Sequence, residues 1–124
     1  MNKTICILED SPEILEIITI VLEEEDYEVH GFGTVSAFMS GIVSLNPSLC
    51  LLDVMLPDGN GLDVCKYLKD TYGKGGFPVM IMTANSQLDK MRENCDADDF
   101  IAKPFDIDNL SAKIKQLTST LEQA

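Results

Sequence analysis

The sequence is short of cations: nine lysines and arginines stand against twenty-one acidic residues, a formal net charge of -12. A chain that binds nucleic acid by neutralising phosphates needs the opposite balance, so no direct nucleic-acid binding is expected. It also lacks any apolar run near the roughly 20 residues that cross a bilayer, and its start, Met1-Asn2-Lys3-Thr4, leads into a strand pattern rather than a signal peptide. No membrane association is expected, and the expected location is the cytoplasm. Histidine occurs once, at His30, and the four cysteines Cys6, Cys50, Cys65 and Cys95 contain no CxxC pair. A zinc site needs closer ligand spacing or more histidine, so each cysteine reads as a buried reduced thiol acting as a small hydrophobe. There is no internal linker or repeat, and the acidic run Glu23-Glu24-Glu25-Asp26 reads as solvated surface.

What is present is enough material for one domain. The 124 residues are 45% apolar and 24% charged, and a chain of that length buries roughly two-thirds of its unfolded surface. Thr4 to Leu8 is an apolar run of strand length that stops at Glu9-Asp10-Ser11-Pro12. Ser11 is a good N-cap and Pro12 suits the first helical position. Ile14, Ile17, Ile18, Val21 and Leu22 then recur at helical spacing. The alternation continues with a strand from Tyr27 to Phe32, a helix from Val35 to Leu45, and the wholly apolar strand Leu49 to Leu52, which ends at Asp53. Pro57-Asp58-Gly59-Asn60-Gly61 is loop chemistry; Leu62 to about Asp70 reads as helix, and Val79 to Met82 as a fourth strand ending at Thr83. A more polar helix is expected from about Gln87 to Asn94, a short strand at Phe100-Ile101-Ala102, and a last helix opened by Asp106 with the stripe Ile107, Leu110, Ile114, Leu117 and Leu121. Strands this continuously apolar are buried on both faces. The predicted fold is therefore α/β: a doubly wound, five-stranded parallel sheet of the flavodoxin-like (βα)5 kind, with helices on both faces.

In such folds ligands bind at the carboxyl ends of the strands, near the point where strand order reverses. The residues at those ends are Glu9 and Asp10 after the first strand, Asp53 after the third, Thr83 after the fourth and Lys103 after the fifth. Three convergent carboxylates repel one another unless a cation shares the space, and an all-oxygen acidic site suits a hard ion. Mg²⁺ is the natural candidate, because it keeps an open side for water and phosphate oxygens. Lys103 can neutralise a phosphate oxygen and the Thr83 hydroxyl can donate to another, while Asp53 is a carboxylate nucleophile able to form an acyl phosphate. Taken alone, an Asp after a strand is usually a turn former, Thr83 a helix cap and Lys103 a solvated charge. The ordered set is what points to phosphoryl chemistry.

The segments ILEDSPEI, LLDVMLPDGNGLDVCKYLK, MIMTA and DADDFIAKPF together resemble the receiver domains of two-component response regulators, over essentially the whole chain. The resemblance implies that residues 1–124 are a single receiver domain with no output domain in this chain. It implies Mg²⁺ bound by Glu9, Asp10, Asp53 and the backbone carbonyl of Met55, phosphorylation of Asp53, phosphoryl contacts from Thr83 and Lys103, an aromatic switch at Phe100 and a cis Lys103-Pro104 bond. The implied donor is a sensor histidine kinase or a histidine phosphotransfer protein. The implied output is a downstream protein or output domain, read on a face containing Lys90, Met91, Phe100 and Lys113. The chain would be a switch, promoting only its own phosphorylation and dephosphorylation, and a monomer or weak dimer. In DNA-binding relatives an Arg on the last helix pairs across a dimer with acidic residues near Asp98 and Asp99; this last helix carries no arginine. The alternatives are a degenerate receiver that binds partners without phosphorylation and a receiver fragment of a DNA-binding regulator. An aspartyl phosphatase or phosphotransferase is disfavoured because Asp53 is followed by Val54-Met55, without a second Asp two residues on. A flavodoxin-like cofactor protein would need a Ser, Thr and Gly phosphate loop after the first strand, which is absent.

Overall fold

Five of the apolar runs become the strands of one sheet. In a computed structural model that describes residues 3–73, 76–84 and 96–123, these are β1 (Thr4–Leu8), β2 (Glu28–Phe32), β3 (Leu49–Asp53), β4 (Val79–Ala84) and β5 (Asp99–Lys103). All pair in parallel, in the order β2-β1-β3-β4-β5. The order reverses between β1 and β3, so the crevice at the carboxyl ends of those two strands is the expected ligand position. The helices among the described residues are α1 (Pro12–Glu24), α2 (Val35–Leu45), α3 (Gly61–Tyr72) and α4 (Ile107–Gln123). The helix expected from about Gln87 to Asn94 lies outside the described residues, as do Cys95, Lys90 and Met91.

Alternation along each strand splits the core into two layers. Cys6, Leu8, Cys50, Leu52 and Ile81 pack with Phe38 and Ile42 of α2 and with Val64, Cys65 and Leu68 of α3. Ile5, Ile7, Leu49, Leu51, Met80 and Met82 face the other way, onto Ile18 and Leu22 of α1 and Leu110 and Ile114 of α4. Each Leu or Ile so buried contributes roughly 1.5–3 kcal/mol relative to exposure. Because both faces are covered, the strands show no polar alternation. Cys6, Cys50 and Cys65 are buried free thiols, as expected.

Caps set the helix starts. Ser11 is the N-cap of α1 and accepts from the Ile14 amide at 3.4 Å, with Pro12 following it. Thr34 caps α2 through the Ala37 amide at 3.1 Å, and Asp106 accepts from the Asp108 amide at 2.9 Å at the start of α4. Two details differ from the sequence expectation. Ile17, placed on the buried stripe of α1, is 52% exposed, and Leu15 packs inward in its stead beside Ile14, Ile18 and Leu22. The stripe that touches the sheet steps by four, and Ile17 lies to one side of it. Strand β2 begins at Glu28 rather than Tyr27, because the preceding Asp26 turns the chain with φ 70°.

Candidate functional site

Strand β3 is buried along its whole length and carries Asp53 to the carboxyl edge of the sheet, where the residue is 8% exposed. Beside it, β1 ends at Leu8 and the next residue, Glu9, keeps the ladder going by donating its amide to the Phe32 carbonyl at 2.9 Å. That bond holds the Glu9 side chain in the crevice, 1% exposed. Asp10 follows at the surface. Ligand oxygens of Glu9, Asp10 and Asp53 lie within 4.8 Å of one another, so the three carboxylates expected to converge do so.

Lys103 enters from the end of β5. Its Nζ lies 2.6 Å from Glu9 Oε1 and 3.2 Å from Asp53 Oδ1. Burial alone would lower its pKa, but the hydrogen bond to Glu9 and the charges of Asp53 and Glu9 outweigh that and hold the ammonium above its ordinary value. Glu9 Oε2 accepts from the Ser11 amide at 3.2 Å, and Asp53 Oδ1 accepts from the Val54 amide at 2.9 Å. Among the described residues Asp53 Oδ2 accepts no hydrogen bond. With one ammonium against three carboxylates, the cluster keeps two negative charges when ionised, all on hard oxygen donors. That donor set and charge fit a divalent hard cation.

Thr83 is 3% exposed and stands one residue beyond Met82, the register partner of Asp53 on the neighbouring strand. Lys103 pairs in register with Ala84. Thr83 and Lys103 therefore stand at the same end of the sheet as Asp53, on the two strands to one side of it. The Lys103-Pro104 peptide is cis. Phe100, the aromatic switch that the resemblance implies, is 7% exposed and part of the α2/α3-side core. Asp98 and Asp99, named above for the dimer of DNA-binding relatives, are engaged within the chain: Asp98 accepts from Lys69 at 2.5 Å and from the Val79 amide at 2.7 Å, and Asp99 pairs with Lys113 at 3.2 Å.

The segment after Asp53, where Pro57 to Gly61 is loop chemistry by sequence, forms a hairpin. Met55–Leu56 pairs antiparallel with Gly59–Asn60 in a two-residue hairpin, closed at its base by the Gly61 amide donating to the Val54 carbonyl at 2.8 Å. Gly61 is buried against the Asp53 backbone: a Cβ there would sit 1.9 Å from the Asp53 carbonyl oxygen. The one sequence signal was a glycine directly before a helical pattern, and it does not distinguish a flexible turn from a close approach.

Comparison with known proteins agrees with this geometry. A family model described as "Response regulator receiver domain" matches residues 5–115. The chain belongs to the receiver-domain family of response regulators. Among curated relatives, it is 33% identical over 117 residues to the "DNA-binding response regulator MtrA" of Mycolicibacterium smegmatis, covering 93% of this chain and 50% of that protein. It is likewise 33% identical over 115 residues to the "DNA-binding dual master transcriptional regulator RpaA" of Synechocystis, covering 91% and 48%. The chain thus spans about half the length of these relatives. Among solved structures, a CheY-like receiver domain protein from Methanospirillum hungatei superposes with TM-score 0.87 at 28% identity over 99% of this chain and 98% of that one. The receiver domain of a histidine kinase from Syntrophus aciditrophicus gives 0.88 at 28%, over 98% and 94%. The receiver fold and its place in two-component signalling follow from these matches. No helix among the described residues is long and apolar enough to cross a membrane.

Proposed function

We propose that this receiver is a phospho-acceptor switch in which Asp53 takes a phosphoryl group from a phosphohistidine of a sensor kinase or histidine phosphotransfer protein. The observation that carries the reading is the state of Asp53. Its Oδ1 is held by the Val54 amide and Lys103, while Oδ2 accepts no hydrogen bond among the described residues, beside two further carboxylates. In the reaction a carboxylate oxygen of Asp53 attacks phosphorus, the donor's P–N bond breaks, and the imidazole leaves; the product is an acyl phosphate. Glu9, Asp10, Asp53 and the Met55 backbone carbonyl would hold Mg²⁺, which when bound offsets charge on the phosphoryl oxygens. Lys103 neutralises a phosphoryl oxygen and Thr83 donates its hydroxyl to another. The reaction would be cytoplasmic, and the domain would act only on its own phosphorylation and dephosphorylation.

Phosphorylation adds nearly two negative charges. Lys103 and Thr83 would close on them, and the inward packing of Phe100 would be stabilised rather than created, shifting the population toward one arrangement of the face that a partner reads, formed by the helix expected from about Gln87 to Asn94 together with β5 and α4. Intact mass after incubation with Mg²⁺ and a small acyl-phosphate donor tests this. One phosphoryl adduct is expected, absent in Asp53→Asn and absent with chelator; no adduct from any donor or kinase would leave a phosphorylation-independent binding module instead.

A second reading, that these residues are the receiver portion of a longer DNA-binding regulator, is favoured by the names of the curated relatives and by the half-length match. Immunodetection in the source cell of a species about twice the mass of this chain would support it, and a species of this mass alone would exclude it.

A further inference from the structure

We propose that Asp58 is a positioning residue for the metal site, clamping the hairpin that carries the Met55 carbonyl onto the N-terminus of α2. The inference rests on the reading of Glu9, Asp10, Asp53 and Met55 as metal ligands. Asp58 stands in the turn between the two short strands, three residues after Met55. Its Oδ1 accepts from the Val35 amide at 2.7 Å and its Oδ2 from the Ser36 amide at 3.0 Å. Those are the first two amides of α2, donors that a helix cannot satisfy internally, and a carboxylate at a helix N-terminus also meets the favourable end of its dipole. The third amide, of Ala37, is taken by Thr34. Gly59 also passes close to the start of α2, since a Cβ there would lie 3.0 Å from Val35 Cγ2.

The hairpin is therefore fixed at both ends. Its base is tied to Asp53 and α3 through the Val54 carbonyl and Gly61, and its tip is tied to α2 through Asp58. Met55 lies between the two ties, with its side chain 80% exposed; no burial of that side chain sets where its backbone points. Asp58 is exposed, yet both of its carboxylate oxygens are committed to backbone donors on another element, 22 and 23 residues away in sequence. A surface aspartate needed only for solubility would not be held in this way.

The test is a titration with Mn²⁺, followed by the EPR signal of the free ion, and competition by Mg²⁺, on wild type, Asp58→Ala, Asp58→Asn and Thr34→Ala. Partners that orient a metal ligand are typically worth 10- to 100-fold in affinity, and with one ligand of four affected, Asp58→Ala should weaken binding about 10-fold. Asp58→Asn, which keeps one acceptor oxygen, should recover part of that loss. Thr34→Ala loosens the same helix end without touching the hairpin and should bind as wild type does. Coupling is reciprocal, so Mg²⁺ should slow hydrogen exchange of the Val35 and Ser36 amides in wild type and not in Asp58→Ala. Equal affinity of wild type and Asp58→Ala, or an equal loss in Thr34→Ala, overturns the proposal and leaves the metal site standing. Absence of ion binding by wild type overturns the metal-site reading, and this inference with it.

Discussion

Replacing Gly61 with alanine tests whether Asp53 is held by backbone contact. Gly61 does not adopt a positive φ, so backbone strain is not at issue; space is. The new methyl would lie 1.9 Å from the Asp53 carbonyl oxygen, 2.8 Å from its carbonyl carbon and 3.2 Å from Val54 Cα. All three are backbone atoms, so no flexible side chain can swing aside, and α3 or the end of β3 must move by more than an ångström. Overpacking of this kind costs typically 1–3 kcal/mol, and the rigid neighbours put this case near about 3 kcal/mol. For a domain of this size that corresponds to a fall in Tm of about 9–15 °C. Because the displaced backbone is that of Asp53, phosphorylation by a small acyl-phosphate donor should slow as well. Gly73→Ala is the control: Gly73 ends α3 with φ 72° and ψ -175°, a conformation close to glycine-only, costing about 1–3 kcal/mol to impose on alanine. Nothing lies within 4 Å of a Cβ there. It should lower Tm while leaving the phosphorylation rate of the folded protein unchanged. A Gly61→Ala protein that melts within 2 °C of wild type and phosphorylates normally would refute the reasoning.

Three further outcomes are expected. Lys103→Met strips the shared cation from Glu9 and Asp53; losing one partner of a buried pair costs about 3–5 kcal/mol, and partial exposure of Lys103 reduces this to about 2–4 kcal/mol. Thermal melts at pH 7 should show the loss, and added Mg²⁺ should restore part of it; unchanged melts would mean that the cluster needs no counter-charge. The Val35 and Ser36 amides hold the Asp58 carboxyl below its ordinary value, so its stabilisation is fully present above the unfolded-state pKa, near 4, and is lost as pH falls through the lower folded-state value. Denaturant midpoints of wild type and Asp58→Ala should differ at pH 7 and converge in acid, and a constant difference down to pH 2 would contradict this. Burial pushes the Cys50 thiol well above its ordinary pKa, and Cys6, Cys50 and Cys65 are 0–1% exposed; mass mapping after alkylation of the native protein should find all three unmodified, and rapid labelling of any of them would contradict the packing.

The doubly wound sheet was legible in the residue order because burial on both faces forces apolar runs such as Leu49 to Leu52, a pattern that strand sterics and solvent impose without reference to partners. Glu9, Asp10, Asp53, Thr83 and Lys103 were legible for a related reason: parallel strands bring their carboxyl ends to one edge, so residues after different strands must share a crevice. Caps at Ser11, Thr34 and Asp106 act on amides within their own turn, and local chemistry was enough to read the first and last of them. Tertiary structure alone decided what depends on distance between segments far apart in sequence. That Lys103 divides its charge between Glu9 and Asp53 follows from the β4–β5 register, and that Asp58 caps a helix 22 residues away follows from the hairpin's fold. The need for glycine at position 61 comes from an approach of α3 to β3 that no local pattern encodes. Ile17 shows the converse: its spacing suits a buried stripe, but α1 packs on the sheet with Leu15 inside and Ile17 at the surface.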